Sequence, residues 1–222
     1  MRNIAVIIPA FNAGLTIETL IQKISGFISL KDIVVIDDGS VDQTYNLSKR
    51  TGVVVLRHER NKGKGEALKS GFDFAMKKRY HAFITLDADL QHDPESIPHF
   101  VRMAEGPAGI LVGTRRRNLQ IMPFARWLTN NLTSVIVSVL SSQSIRDSQS
   151  GYRLITAQVL KRVRLESRRY DLESEVLIKA ARRGFKVGEV PIPTIYGSQK
   201  SFINPLVDTG RFIKLMWKSL WW

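Results

Sequence analysis

The sequence predicts an α/β fold, a mostly parallel central sheet with helices on both faces, and three observations predict it. Short β-branched runs alternate with stretches of helical periodicity along the 222-residue chain. The runs are almost continuously apolar, as expected of strands covered on both faces rather than on one. Clusters of Asp and Gly follow the strands, at the carboxyl ends where ligands bind in such sheets. A composition of 44% apolar and 24% charged residues supports a sizeable core and excludes a disordered or collagen-like chain.

The elements follow in order. Ile4 to Ile8, ahead of Pro9, reads as the first strand and is too short for a signal-peptide core or a membrane span. Thr16 is placed to cap a helix in which Ile17, Leu20, Ile21, Ile24 and Ile28 share one face. Strands are predicted at Ile33 to Ile36 and Val53 to Leu56, then a helix over Glu66 to Lys78 with Leu68, Phe72 and Met76 on one side. Ala82 to Leu86 and Ile110 to Val112 complete five predicted strands. Phe124 to Leu140 is helical in pattern, suited either to a lipid interface or to core packing, and Thr133, Ser134 and Ser138 interrupt its apolar stretch, so no membrane-spanning helix is expected. In Arg211 to Trp222, Arg211, Lys214 and Lys218 form one helical stripe beside Trp217, Trp221 and Trp222, which suits a membrane interface or a membrane-protein partner. The expected organisation is therefore one domain over residues 1–210 and an interfacial segment over 211–222.

Charge and cysteine content narrow the chemistry. The chain has no Cys, which excludes disulfides, thiolate metal sites and a Cys nucleophile. Its formal charge of +13 is uneven: residues 1–100 carry 13 basic and 12 acidic side chains, residues 101–222 carry 20 and 8. The second half is built to meet an anion. No nucleic-acid motif accompanies the charge, and acidic pairs at the predicted ligand edge repel a phosphate backbone, so a nucleic-acid partner is not expected.

Asp87 and Asp89 end the fourth predicted strand. Two carboxylates one residue apart address one hard cation, Mg2+ or Mn2+, and Gln91 adds a neutral oxygen if the chain turns there; strand-end polarity and helix capping before Pro94 are the alternative for Asp87 and Asp93. Asp37 and Asp38 precede Gly39 and Ser40 in a tight turn, where they suit ribose hydroxyls, a base N–H or capping. Gly63 and Gly65 permit close approach of the backbone to a ligand or to a neighbouring loop. Neither the dinucleotide fingerprint nor the phosphate loop fits this segment, because Leu68 stands where the third Gly belongs and no Gly precedes Lys69-Ser70.

The ordered set Pro9-Ala10-Phe11-Asn12, Asp37-Asp38-Gly39-Ser40-x-Asp42-x-Thr44, Asn61-x-Gly63-x-Gly65, Asp87-Ala88-Asp89-Leu90-Gln91-His92 and Asp147-x-Gln149-x-Gly151-Tyr152-Arg153 resembles the family 2 inverting glycosyltransferases of GT-A (nucleotide-diphospho-sugar transferase) fold, in the branch of dolichol-phosphate mannose synthase and bacterial polyprenyl-phosphate glycosyltransferases. Glu173-x-Glu175, Gly188-Glu189-Val190-Pro191-Ile192 and Tyr196-Gly197-Ser198-Gln199-Lys200-Ser201 extend the resemblance over nearly the whole chain. It departs at Ala13, where the family commonly has a glutamate, which leaves the donor base open.

The resemblance implies transfer of a hexose such as mannose or glucose, with inversion, from a nucleotide diphosphate sugar to a polyprenyl (dolichyl or undecaprenyl) phosphate. A hydroxyl acceptor on a saccharide or glycolipid is the alternative. It implies metal binding by Asp87, Asp89 and Gln91, and donor binding by Pro9, Phe11, Asn12, Asp37, Asp38, Gly63, Lys64, Gly65, Asp87 and Ala88. Asp89, Asp147 and Arg115 are the implied catalytic residues, and Arg115, Arg126, Ser134, Arg153 and Lys200 the implied holders of the acceptor phosphate. A phosphate acceptor already carries about −1.5 to −2 charge at neutral pH and needs cations rather than a base. A hydroxyl acceptor needs a carboxylate base, for which Asp147 is the candidate, unless it is the buried partner of Arg153. The implied location is the cytoplasmic face of a membrane, held peripherally, with a small membrane protein as a further partner.

Overall fold

The computed structural model describes residues 3–115, 124–193, 195, 205–219 and 221–222. Among the described residues seven strands, β1 (Ile4–Ala10), β2 (Ile33–Asp37), β3 (Val54–Arg57), β4 (Ala82–Thr85), β5 (Ala108–Arg115), β6 (Arg153–Thr156) and β7 (Lys186–Ile192), form one sheet of order β3-β2-β1-β4-β6-β5-β7. All neighbours pair in parallel except β6, which runs antiparallel to both β4 and β5. The expected mostly parallel α/β sheet is thus observed, with one reversed strand inserted in it.

The five predicted strands appear within a few residues of their expected bounds; β6 and β7 were not foreseen. β6 offers only Leu154 and Ile155 as consecutive aliphatic residues, too short a run to read as a strand, yet it lies between two neighbours. β7 mixes Lys186, Gly188, Glu189 and Pro191 with three aliphatics, and its place at the sheet edge tolerates the proline. Pro9 is tolerated in β1 because it lies beyond the last β4 partner, Ile7 opposite Thr85, where β1 pairs with β2 alone.

The alternation of side chains along a strand divides the core in two. Ile4, Val6 and Ile8 of β1 pack with Ile17, Leu20, Ile21 and Ile24 of α1 (Ile17–Ser25) and with Ile97 and Phe100 of α4 (Ile97–Met103). Ala5 and Ile7 point to the other face, against Ala67, Leu68 and Phe72 of α3 (Lys64–Lys77) and near Leu172, Val176 and Leu177 of α7 (Asp171–Arg182). Helices on both faces follow directly from β1 and β2 being buried along their whole length. The remaining helices are α2 (Thr44–Arg50), α5 (Phe124–Ser141), α6 (Ala157–Arg162) and α8 (Pro205–Ser219).

Three local features bear on these expectations. Thr16 precedes α1 but makes no capping bond; its hydroxyl donates instead to the carbonyls of Ala88 (2.5 Å) and Ala13 (3.2 Å), tying the helix to the end of β4. The boundary at residue 210 falls inside α8, which starts at Pro205. α5 is inverted relative to a core helix: Thr133, Ser134 and Ser141 are buried together with Val137, while Leu132, Val135 and Val139 are exposed. Among the described residues, no helix is long and apolar enough to cross a membrane.

Candidate active site

The carboxyl ends of β1, β2, β3, β4 and β5 lie along one edge of the sheet, since these strands run the same way. The Asp and Gly clusters therefore converge there. The turn after β1 is pinned by the one after β2. Asn12, with a positive φ of 51°, donates its N–H to Ser40 Oγ (2.9 Å) and accepts from the Val41 N–H (3.0 Å). Ala13 N–H donates to Thr44 Oγ1 (2.7 Å) and Gly14 N–H to Asp42 Oδ2 (2.8 Å), so Ser40, Asp42 and Thr44 grip residues 12–14 through their backbone. Phe11 and exposed Asn12 stand on this turn, and Pro9 is buried in β1.

Asp37 and Asp38 differ from expectation. Both are buried and engaged within the protein: Asp37 Oδ1 accepts from Ser40 N–H (3.0 Å), and Oδ2 pairs with Arg57 Nε at 3.1 Å. Asp38 takes the N–H groups of Lys62 (3.0 Å) and Gly63 (2.8 Å) and the His58 ring at 2.6 Å, and His58 Nε2 lies 2.9 Å from Ser70 Oγ. The expected direct contacts to ribose give way here to loop-building roles, because burial keeps both carboxylates from solvent, Asp37 Oδ2 meeting Arg57 alone and accepting no hydrogen bond. His58 was not anticipated, and its position one residue after β3 was the available signal. Gly65 also changes role. A Cβ there would lie 2.5 Å from the Arg168 carbonyl carbon, so the close approach it permits is to the 166–169 loop, whose Arg168 carbonyl accepts the Glu66 N–H at 3.1 Å.

Asp87 and Asp89 both emerge from β4 and remain partly exposed, as does Gln91, while Ala88 is buried between them. Leu90 takes a positive φ of 61°, which turns the chain so that Gln91 N–H donates to Asp89 Oδ1 (3.0 Å). Burial, and then the charge of Asp87, push the Asp89 carboxyl above the usual range. For Asp87 burial acts upward too, but the Lys64 ammonium outweighs it and the carboxyl is lowered. Asp93 is a capping residue, accepting from Glu95 N–H at 3.1 Å. His92 is buried beside Tyr152, at 5.3 Å between rings, and burial lowers its pKa to about 4, so the imidazole is neutral near pH 7.

A carboxylate whose proton affinity is raised by burial and by a second carboxylate beside it, as Asp89 is by Asp87, belongs to the kind of donor set that a divalent ion relieves. Among the described residues no third acidic or His side chain completes a cage. Asp87, Asp89 and Gln91 therefore fit Mg2+ or Mn2+ of the kind held by one or two carboxylates and completed by substrate phosphate oxygens.

Lys64, the first residue of α3, reaches into this edge. Its Nζ lies 2.5 Å from Asp87 Oδ1 and 2.7 Å from Glu173 Oε1. Burial disfavours the ammonium, but Asp87 and Glu173 more than compensate and raise its pKa. Gly151 closes the opposite wall: a Cβ there would lie 2.5 Å from Asp87 Oδ2 and 2.9 Å from Lys64 Nζ. Thr85 Oγ1 fixes this glycine by donating to its carbonyl at 2.7 Å.

The basic residues sort clearly. Arg115, at the end of β5, grips Asp147 with Nε at 2.8 Å and Nη2 at 3.1 Å, a bidentate pair in which Asp147 is fully buried and the Arg115 side chain 23% exposed. The buried partner expected for Arg153 is thus Arg115's instead. Arg153 is itself buried and donates to the carbonyls of Ser150 (2.7 Å), Ser148 (2.6 Å) and Glu173. That corrects its expected role in holding the acceptor: the guanidinium ties the loop before β6 to α7 and presents nothing to solvent. Ser134 is buried on α5, where its hydroxyl accepts from Ser148 N–H at 3.2 Å. The side chain of Arg126 and all of Lys200 lie outside the described residues.

The chain is similar to known proteins over most of its length. Residues 5–164 match the family described as Glycosyl transferase family 2. An uncharacterised protein of Methanocaldococcus jannaschii is 36% identical over 98% of this chain and 90% of its own length. The UDP-N-acetylglucosamine–dolichyl-phosphate N-acetylglucosaminyltransferase of Methanococcus voltae is 32% identical over 96% of this chain and 94% of that protein. The dolichol-phosphate mannosyltransferase of Pyrococcus furiosus is 31% identical over 85% of this chain, which spans 55% of that protein. Among solved structures, glucosyl-3-phosphoglycerate synthase from Mycobacterium tuberculosis, in complex with Mn2+, UDP and glucosyl-3-phosphoglycerate, superposes with a TM-score of 0.76 at 21% identity, over 99% of this chain and 78% of that one, a likeness of fold to GT-A enzymes. The match over residues 5–164, together with relatives above 30% identity along nearly the full chain, establishes that this protein belongs to glycosyl transferase family 2.

Proposed function

We propose that this glycosyltransferase moves a hexose, with inversion, from a nucleotide diphosphate sugar to a polyprenyl phosphate. The observation that carries the choice of acceptor is the Arg115–Asp147 pair. A hydroxyl acceptor needs a carboxylate to take its proton, and Asp147, the candidate for that task, is fully buried with both oxygens on Arg115. A phosphate acceptor needs an oriented cation, and Arg115, held by Asp147 and still partly exposed, supplies one. Relatives acting on dolichyl phosphate, by their names, support the same acceptor.

In this reading Asp87, Asp89 and Gln91 hold Mg2+ or Mn2+, which when bound neutralises charge on the departing diphosphate. The 11–14 turn and the 61–65 loop receive the nucleoside, with Asp37 and Asp38 acting through the loops that they fasten. Arg115 orients the acceptor phosphate toward the anomeric carbon, and Asp147 is its positioning residue. Arg126 and Lys200 are proposed as further contacts to that phosphate.

We also infer that the protein works at the cytoplasmic face of a membrane. Two exposed apolar surfaces support the membrane association. Ile213 and Trp217 of α8, and Trp221 beyond its end, are exposed beside the exposed Lys214 and Lys218, while Leu215 and Ser219 are buried. α5 exposes Leu132, Val135 and Val139. Arg182 of α7 donates to the Leu140 carbonyl (3.3 Å) and to the Ser219 carbonyl, which joins the C-terminal ends of the two helices. A small membrane protein seated on the same surface is the second reading.

The test of the transfer is incubation with labelled nucleotide sugar, Mn2+ and polyprenyl phosphate. Label should pass to the organic phase and be lost in Asp89→Ala. Label only on a water-soluble saccharide would overturn the phosphate acceptor in favour of a hydroxyl one.

A further inference from the structure

We propose that Lys64 is a competitor built into the metal site, whose ammonium and an incoming divalent ion claim the same oxygen of Asp87. The inference rests on the reading of Asp87 as a metal ligand. Its basis is the geometry of the lysine: Nζ sits 2.5 Å from Asp87 Oδ1 and 2.7 Å from Glu173 Oε1, and the side chain is 15% exposed. The wall facing this pair is the backbone at Gly151, so close that a single added methyl would strike Asp87 Oδ2 and Lys64 Nζ. There is no room for the ammonium to step aside in that direction.

A monovalent and a divalent cation on one carboxylate oxygen repel strongly in a site screened from water. An incoming ion must therefore displace Lys64 from Asp87. Glu173 sets where the displaced ammonium goes, because it keeps its hold after Asp87 is given up. Lys64 stays within the site as a charge without its first partner, and a diphosphate is the ligand that satisfies both it and the metal. Binding of metal alone is thus opposed, and binding of metal with a nucleoside diphosphate is favoured: a coupling between two ligands produced by one side chain. The consequence is a site that loads metal together with donor and does not hold it in reserve.

The measurement is Mn2+ affinity of the full chain without nucleotide, read by electron paramagnetic resonance of free Mn2+, and again with saturating UDP or GDP. Lys64→Met should bind Mn2+ alone about tenfold more tightly than wild type, because a like charge is removed from the coordinating oxygen. The strengthening that the nucleotide brings should shrink in the same variant. Unchanged or weaker binding of Mn2+ alone by Lys64→Met would overturn the proposal. If that variant does not fold, Lys64→Met/Glu173→Gln compared with Glu173→Gln alone makes the same test with one fewer unpaired carboxylate. Asp87→Asn separates the two levels. Mn2+ binding equal to wild type in Asp87→Asn removes the ligand assignment itself, whereas loss there with no gain in Lys64→Met removes only the competition.

Discussion

Asp147 shows how much a single residue's surroundings decide. Its place in the Asp147-x-Gln149-x-Gly151 motif suggested catalysis or a partnership with Arg153, but the chain returns it to Arg115, 32 residues away. Sequence spacing did not reveal this, because a buried ion pair depends on where β5 ends relative to the loop before β6. Asp147→Asn leaves Arg115 with one fewer charge-assisted bond; the KM for polyprenyl phosphate should rise about tenfold, the scale of about 1.4 kcal/mol, with the donor KM unchanged. Steady-state kinetics with each substrate varied will check it, and a rise confined to the donor KM would contradict the assignment. The residues proposed to hold the metal were more legible. Asp87, Asp89 and Gln91 are neighbours in sequence and leave one strand together, so their proximity required no knowledge of the fold. Lys64 and Glu173, 109 residues apart, were read only as a donor contact and a motif member.

Helices tell a different story, since their periodicity announces that they exist but not which face turns inward. α5 was legible as an apolar helix, yet it buries serines and exposes Leu132, Val135 and Val139. The reason is the polar 143–150 loop beneath it, where Ser138 Oγ accepts the Ile145 N–H (3.0 Å) and Ser134 Oγ the Ser148 N–H (3.2 Å). If this face and α8 meet a lipid surface, Trp217→Ser/Trp221→Ser should reduce binding to anionic vesicles about tenfold, as expected for loss of about 1–2 kcal/mol of interfacial burial, and leave thermal stability unchanged. Vesicle flotation measures this, and undiminished binding would point to a protein partner. α7 carries a pH-dependent element. Glu175 is fully buried, and although burial works upward, Lys179 at 2.6 Å and the N–H groups of Ser167 and Glu166 lower its pKa below the ordinary 4.5. A depressed carboxylate contributes stability that is present above pH 4.5 and fades as pH falls through its folded value. Glu175→Gln should therefore lower the melting temperature at pH 7, with the gap to wild type narrowing in acid. A gap independent of pH would contradict this account.

At the scale of the molecule, the strands of the first half of the chain were readable and the last two strands were not. β1, β2 and β4 are apolar and central, so their burial is written in composition, and the ligand edge follows from their parallel direction. β6 is antiparallel and only four residues long, and β7 is a polar edge strand; both owe their place to neighbours rather than to their own pattern. Within one core layer Phe100, stacked on Tyr152 at 4.5 Å between ring centroids, joins α4 to the residue before β6. Phe100→Ala should cost about 3–5 kcal/mol of stability in a denaturation curve. A change below about 1 kcal/mol would mean that this layer is not packed as described.

The central claim is that Asp87 and Asp89 share a divalent ion which meets a nucleotide sugar's diphosphate at the end of β4. A crystal grown with Mn2+ and a nucleoside diphosphate, measured at the manganese absorption edge, tests it most directly. The account predicts one anomalous peak within bonding distance of both carboxylates and of diphosphate oxygens, with Lys64 withdrawn from Asp87. A peak held by other residues, or a diphosphate bound away from β4, would contradict it.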